Sequence, residues 1–474
     1  MSNEPSRSND VAEGERADPE EARPADTEDA AVADDAETNG SDRTASETAK
    51  EPAETATVTS DATDSADAPG DFDRSDPSYY LNRELSELEF QKRVLHEATD
   101  ERNPLLEQVK FLSIFTTNMD EFFRKRVGGL KQQIEAGVTE RTPDGRTPRE
   151  QWDEILETAR PMFERQTECY HETVRPALAD AGVRILDYDD LSADERADLR
   201  AYFESSVLPT LTPLTFDPAH PFPHISNLSL SLGVLTREDP DDDLTFSRVK
   251  VPQNRPRLVR VGDDSSELGD AGGESGTADG RDTRFVLIED VIADNLDLLF
   301  PNVEIVDYST FRVTRNAEVG RDEEVAEDLI EMIEEVLEER RFATVVRLEI
   351  ENDAHPLVRE ILADRLDLDD CEIFERRGPL AFRDFDSLLD LNRPDLKLDD
   401  WSPKPHPRLA GIGTDDRDIF DEIRADDVLV HHPYHSFTGT VQQFLETAAR
   451  DPDVLAIKAA IYRTASDSQV VETL

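Results

Sequence analysis

Cysteine is nearly absent: Cys169 and Cys371 are the only two in 474 residues. They stand far apart and form no CxxC, which argues against a disulfide framework or a zinc ribbon and fits a reducing cytoplasm. No apolar run approaches ~18 residues, the least that crosses a bilayer as a helix. The N-terminus has neither a basic stretch nor an apolar core, so no signal peptide is expected. Positive charge is also short. Acidic residues outnumber basic ones 108 to 52, a formal net charge of -56, and most of the basic residues are Arg. General nucleic-acid binding is disfavoured, because phosphate contacts need a basic surface.

The acidic excess is not confined to one end. Residues 1–76 hold 23 Asp and Glu against 6 Lys and Arg, which leaves 85 against 46 in the remainder. An acidic surface of this density, with Arg in place of Lys, is expected of a halophile, where salt screens the self-repulsion. Residues 1–76 are Ala, Asp, Glu, Ser, Thr and Pro with almost no large apolar side chain. They cannot bury enough surface to offset chain entropy, so they read as a disordered, solubilising tail.

Apolar periodicity begins after Pro77. Residues 81–99 form an amphipathic helix, with Leu85, Leu88, Val94, Leu95 and Ala98 apolar. Residues 105–134 read as one or two longer helices and 152–178 as another, so 77–182 is an all-helical domain. From Val183 the period shortens. Residues 228–235, 247–251, 258–261, 285–288 and 345–350 read as strands, and 291–299, 323–340 and 355–366 as helices. Residues 183–395 are therefore an α+β domain. Residues 261–284 are rich in Gly, Ser, Asp and Glu and read as a loop insertion. They are not a phosphate loop, since no GKS or GKT follows.

Residues 381–425 read as a Pro-containing connector around Trp401-Ser402-Pro403-Lys404-Pro405. The chain then reads strand (428–430), His-rich turn (431–437), helix (441–450) and strand (454–462), with Arg463 after the last strand. In open α/β sheets ligands sit beyond the carboxyl ends of strands. The His-rich turn and Arg463 converge on that side, a composition that suits an anion. His431, His432 and His435 are read as a hydrogen-bonded turn rather than a metal site, because Pro433 breaks the helix that would align them.

Three ordered stretches carry a resemblance. The segment 426–437 with 451–468, DDVLVHHPYHSF and DPDVLAIKAAIYRTASDS, resembles the first C-terminal domain of the type 1 polyphosphate kinase family. Residues 84–91 and 103–127 resemble its N-terminal domain, although Glu87 stands where the family usually has Trp, and Gln91 where it usually has Asn. VLPTLTPL, DPAHPFPHISNLSL, VLIEDVIADNLDLLFP and FRVTRNAE resemble its middle, or head, domain. The resemblance implies a multidomain α+β fold: a helical N-terminal domain (77–182), an α+β head domain (183–395), then a connector and the start of a phospholipase D-like α/β domain (396–474).

It also implies site residues. Asn118, Glu121 and Lys125 share one helical face, with Phe115, Met119, Phe122 and Phe123 on the apolar one. On spacing alone Asn118 is a surface or packing residue. The resemblance makes it the ATP-contacting Asn of an N-L-D-E-F motif, with Met119 for Leu, and an amide suits an adenine edge. Arg124-Lys125-Arg126 faces phosphate or a neighbouring subunit, or is a salt-bridged surface. Arg463 matches the family position beside its magnesium-phosphate site. Arg cannot ligate Mg²⁺, so Arg463 is read as holding metal-bound phosphate oxygens; pairing with Asp467 is the plain alternative.

The family activity so implied is reversible transfer of the ATP γ-phosphate to inorganic polyphosphate through a phosphohistidine. ATP, ADP and polyphosphate are the expected partners and Mg²⁺ the cofactor, in a cytoplasmic phosphoprotein that assembles as a homo-oligomer. The family's phosphorylated histidine lies downstream of Leu474, so the resemblance implies a truncated chain with no catalytic residue of its own. The competing reading is an inactive nucleotide-binding or assembly module. A phospholipase D-like lipid enzyme is disfavoured, because no HxK motif occurs.

Overall fold

The structure, a computed structural model, describes residues 73–216, 222–262, 283–317, 343–412, 418–460 and 468–474. Nearly all of the expected tail, most of the insertion 261–284, the helix expected over 323–340 and Arg463 lie outside the described residues.

The first long helix begins where Asn82 caps it, its Oδ1 accepting from the Leu85 amide at 3.0 Å. That bond satisfies one of the donors a helix N-terminus leaves open. This helix, α1 (Arg83–Thr99), packs on α2 (Leu105–Phe122). A wide π-type turn, Phe123–Val127, carries α2 into α3 (Gly128–Glu135). The fourth helix, α4 (Pro148–Glu168), starts on Pro148 with a reciprocal Thr147–Glu150 cap. Trp152, Ile155, Ala159 and Phe163 of α4 share one buried core with Val109, Leu112, Phe115 and Met119 of α2.

That core continues into a sheet. Six strands run in the order β2 (Leu214–Phe216), β4 (Thr245–Lys250), β3 (Ser231–Arg237), β7 (Glu304–Arg315), β8 (Val345–Glu351) and β9 (Ile373–Arg376). All neighbours are antiparallel except β8 and β9. A parallel pair needs a crossover, and the helix Pro356–Leu366 supplies it, burying Val358 and Leu362 with Leu235, Phe246 and Ile373. A smaller sheet sets β1 (Val183–Ile185) parallel to β6 (Thr283–Leu287), with β5 (Leu258–Arg260) antiparallel on the other side of β6. Phe374 of β9 lies edge-on to Phe123 and Phe163, with centroids 5.7 and 5.5 Å away. Helices and main sheet thus share one aromatic core.

The multidomain α+β reading holds, with local corrections. The twelve-residue β7 was not expected as a strand. Its inner half buries Arg312, Thr314 and Arg315, polar residues that disguise a core strand. The strand expected from 228 begins at Ser231, because Leu228 turns the chain at φ 56°. Residues 382–390, expected in the connector, form a 3₁₀ helix packed on α2. Phe382, Phe385 and Leu388 are buried, and a three-residue period sets them on one face. Finally, neither 428–430 nor 454–460 forms a strand. Leu429 is 86% exposed and Leu455 97%. A strand needs a ladder partner for its amides and carbonyls, and neither segment has one among the described residues. The helix between them is present, as a π-type turn at Thr438–Gln442 leading into Gln443–Arg450, and it buries Leu445 and Ala448.

Candidate functional site

Asn118 lies near the C-terminal end of α2, half-buried, on the face away from the Phe115–Met119–Phe122 core. Its Nδ2 donates to Oε1 of Gln91 on α1 at 3.0 Å. Gln91 is buried, and its own Nε2 donates to Glu87 Oε1 at 2.6 Å. The Asn118 carboxamide oxygen has no hydrogen-bond partner among the described residues. Along the same face, Lys125 Nζ bridges Glu121 at 2.8 Å. Within the basic cluster, therefore, Lys125 belongs to a salt-bridged surface. Arg126 is exposed, and the Arg124 carbonyl accepts from the Ala317 amide at 2.9 Å.

Behind this face the helix is anchored by charge. Asp120, two residues on, points into the core and accepts from Arg312 and Arg347. Glu349 pairs with Arg312, Arg347 and Arg376. Burial alone would raise the Glu349 carboxyl, but the three guanidiniums outweigh it and hold it down at about 2. Burial opposes the charge of Arg312 as well, and Asp120 and Glu349 keep it firmly protonated. The backbone that carries Asn118 is thus tied to β7 and β8.

Arg463, the expected phosphate contact, lies outside the described residues, so its distance from Asn118 is not defined. Lys458, expected inside a strand, is exposed on irregular backbone. The histidines brace their own turn. His435 Nδ1 accepts from the His431 amide at 3.0 Å, and His432 Nδ1 lies 2.8 Å from the His435 carbonyl. The expected connector pins this turn, through Trp401 Nε1 donating to the Pro433 carbonyl at 2.9 Å and Lys404 pairing with its backbone. Among the described residues, no group of three or more His, Cys, Asp or Glu side chains is placed to hold a metal.

A cavity of about 550 Å³ opens elsewhere, between α4 and β9. Arg160, Arg359 and Arg377 alternate there with Glu164, Glu172 and Glu375. Arg359 is already paired with Asp370 and Glu375, so the lining is near charge balance and does not form a phosphate cradle. Asn118 does not line it.

The contact that sequence reasoning missed is Gln91. Positions 87 and 91 are one helical turn apart, so their shared face was legible. The helix opposing that face was not.

Comparison with known proteins identifies the scaffold. Sequence models of the polyphosphate kinase N-terminal domain, middle domain and C-terminal domain 1 match residues 80–186, 194–388 and 418–474. The polyphosphate kinase of Synechocystis sp. is 45% identical over 415 residues, covering 85% of this chain and 56% of that protein. The Mycobacterium avium polyphosphate kinase is 44% identical over 395 residues, covering 83% of this chain and 53% of that protein. The crystal structure of polyphosphate kinase from Porphyromonas gingivalis superimposes with a TM-score of 0.64 at 24% identity, over 83% of this chain and 53% of that one; at that identity it establishes the fold. The chain spans about half the length of the curated relatives it matches. Three successive domains of one family follow one another in order along most of these residues, and the chain belongs to the type 1 polyphosphate kinase family.

Proposed function

We propose that these residues form the nucleotide-facing part of an ATP:polyphosphate phosphotransferase. In this reading the ATP γ-phosphate passes reversibly to inorganic polyphosphate through a histidine that none of the residues here matches. Asn118 contacts the adenine edge and Arg463 holds the phosphate end. The observation that carries the reading is the Asn118 carboxamide, held by Gln91 on a half-exposed face with its oxygen unengaged. That is an acceptor poised for a donor, on a helix anchored rigidly to the sheet by Asp120. The described residues around Asn118 provide no set of oxygen ligands for Mg²⁺. The metal, in this reading, arrives with the phosphates at Arg463. A homo-oligomer in a salt-rich cytoplasm is the setting we infer.

Equilibrium binding of ATP and of inorganic tripolyphosphate to the 474-residue chain, in high salt, tests the assignment. Asn118→Ala is expected to weaken ATP about fivefold, the worth of one hydrogen bond, and to leave tripolyphosphate unchanged. Arg463→Ala is expected to weaken both. ATP binding that is indifferent to Asn118→Ala would remove the adenine assignment.

A further inference from the structure

We propose that Glu87 and Gln91 determine the base preference of this site by fixing the orientation of the Asn118 carboxamide. This rests on Asn118 being the adenine contact. A carboxylate only accepts. Glu87 Oε1 lies 2.6 Å from the Gln91 amide group, so Gln91 turns its Nε2 towards Glu87. Its Oε1 is then turned towards α2. That oxygen also only accepts, so Asn118 meets it with Nδ2, at 3.0 Å. The Asn118 oxygen is left turned away from Gln91.

Rotating either amide by half a turn would set oxygen against oxygen, or N–H against N–H. Gln91 is 2% exposed, so water cannot make good the lost bond and the wrong orientation is costly. The polarity set by one exposed carboxylate is thereby passed through a buried amide to the ligand-facing group. Glu87 and Gln91 touch no ligand in this scheme; they are positioning residues.

An outward oxygen selects its partner. Adenine presents an exocyclic amine, a donor. Hypoxanthine presents a carbonyl oxygen at the same exocyclic place, and its neighbouring N1 carries a proton where that of adenine is an acceptor. With the Asn118 oxygen forward, ATP gains a hydrogen bond, whereas ITP meets lone pair with lone pair.

The test compares ATP and ITP binding to the 474-residue chain and to Glu87→Lys, Glu87→Gln and Asn118→Ala. The unaltered chain is expected to prefer ATP by roughly tenfold. An ammonium only donates, so Glu87→Lys reverses Gln91 and, through it, Asn118. The ATP:ITP ratio should then fall to one or below, whatever the added charge does to both affinities. Glu87→Gln satisfies either orientation and should fall between. Because position 87 is exposed, these variants keep the helix packing, and matching melting curves verify that. If Asn118→Ala weakens ATP but Glu87→Lys leaves the ratio unchanged, the relay is overturned and the adenine contact stands. If Asn118→Ala changes neither nucleotide, or the unaltered chain binds no ATP, the adenine contact fails and the relay with it.

Discussion

Asp120 and Arg312 stand 192 residues apart in the chain and meet as a buried pair with two parallel hydrogen bonds of 2.8 Å each. Arg347 adds a third bond to Asp120, and Glu349 gathers Arg312, Arg347 and Arg376. Three guanidiniums face two carboxylates, so one positive charge is in surplus. It is spread over ring faces: Arg347 lies 4.4 Å from the Phe123 centroid and Arg376 4.9 Å from that of Phe163. Aromatic quadrupoles stabilise a desolvated cation.

Removing one member of this network leaves the others charged and buried. Asp120→Asn is expected to destabilise the fold by about 3–5 kcal/mol, read as a drop in the denaturant midpoint. A loss below about 1 kcal/mol would mean that water reaches the network.

Two carboxyls on β8 are shifted in opposite directions. Glu349 is held down at about 2, as described. Burial lifts Glu351 to about 6, despite the Thr310 amide donating to it at 3.0 Å, and burial beside Glu289 and Glu351 raises Asp290 well above its usual range. A depressed carboxyl contributes stability above the ordinary carboxylate range and loses it as pH falls towards 2. A raised one works the other way: folding takes up a proton, and stability falls as pH rises from that range through 6. Glu351→Gln should therefore stabilise the protein at pH 8 by about 2 kcal/mol and by less at pH 5. Equal effects at both pH values would contradict the raised carboxyl.

Gly128 sits in α3 where a Cβ would run into the Asn316 side chain. Within a helix Gly→Ala ordinarily gains about 1 kcal/mol. Here overpacking reverses the sign, and Gly128→Ala is expected to cost about 1–3 kcal/mol in thermal or chemical melts. A stabilised variant would show that Asn316 moves aside freely.

The acidic excess outside residues 1–76 leads to a salt requirement. Circular dichroism should show loss of structure on dialysis from molar to low salt, as screening is withdrawn. An equally cooperative melt in both conditions would refute salt adaptation.

The long helices between residues 83 and 168 were legible in the sequence because their hydrogen bonds are local. The apolar stripe of residues 105–122 follows from spacing a few residues long, whereas the helix expected from 152 begins at Pro148, where the Thr147–Glu150 cap starts it. The shortening of period from Val183, with strand-like and helical segments interspersed, likewise sufficed for the α+β class. Spacing misled where a residue's partner is distant. Arg312 and Arg347 look like solvent positions in β7 and β8, yet Asp120 of α2 draws both into the core. Residues 428–430 and 454–460 look like buried strands, yet no neighbouring strand is present among the described residues to receive their amides.

The site divides in the same way. The face Asn118 shares with Glu121 was readable from helical period, whereas its reading as a nucleotide contact came only from the resemblance of the motif around it. That Gln91 holds its amide was decided by how α1 lies across α2. Local sequence determines which side chains share a face of a helix. Only the packing of one helix on another determines which donor meets which acceptor, because that choice is made across a gap in sequence that no local period spans.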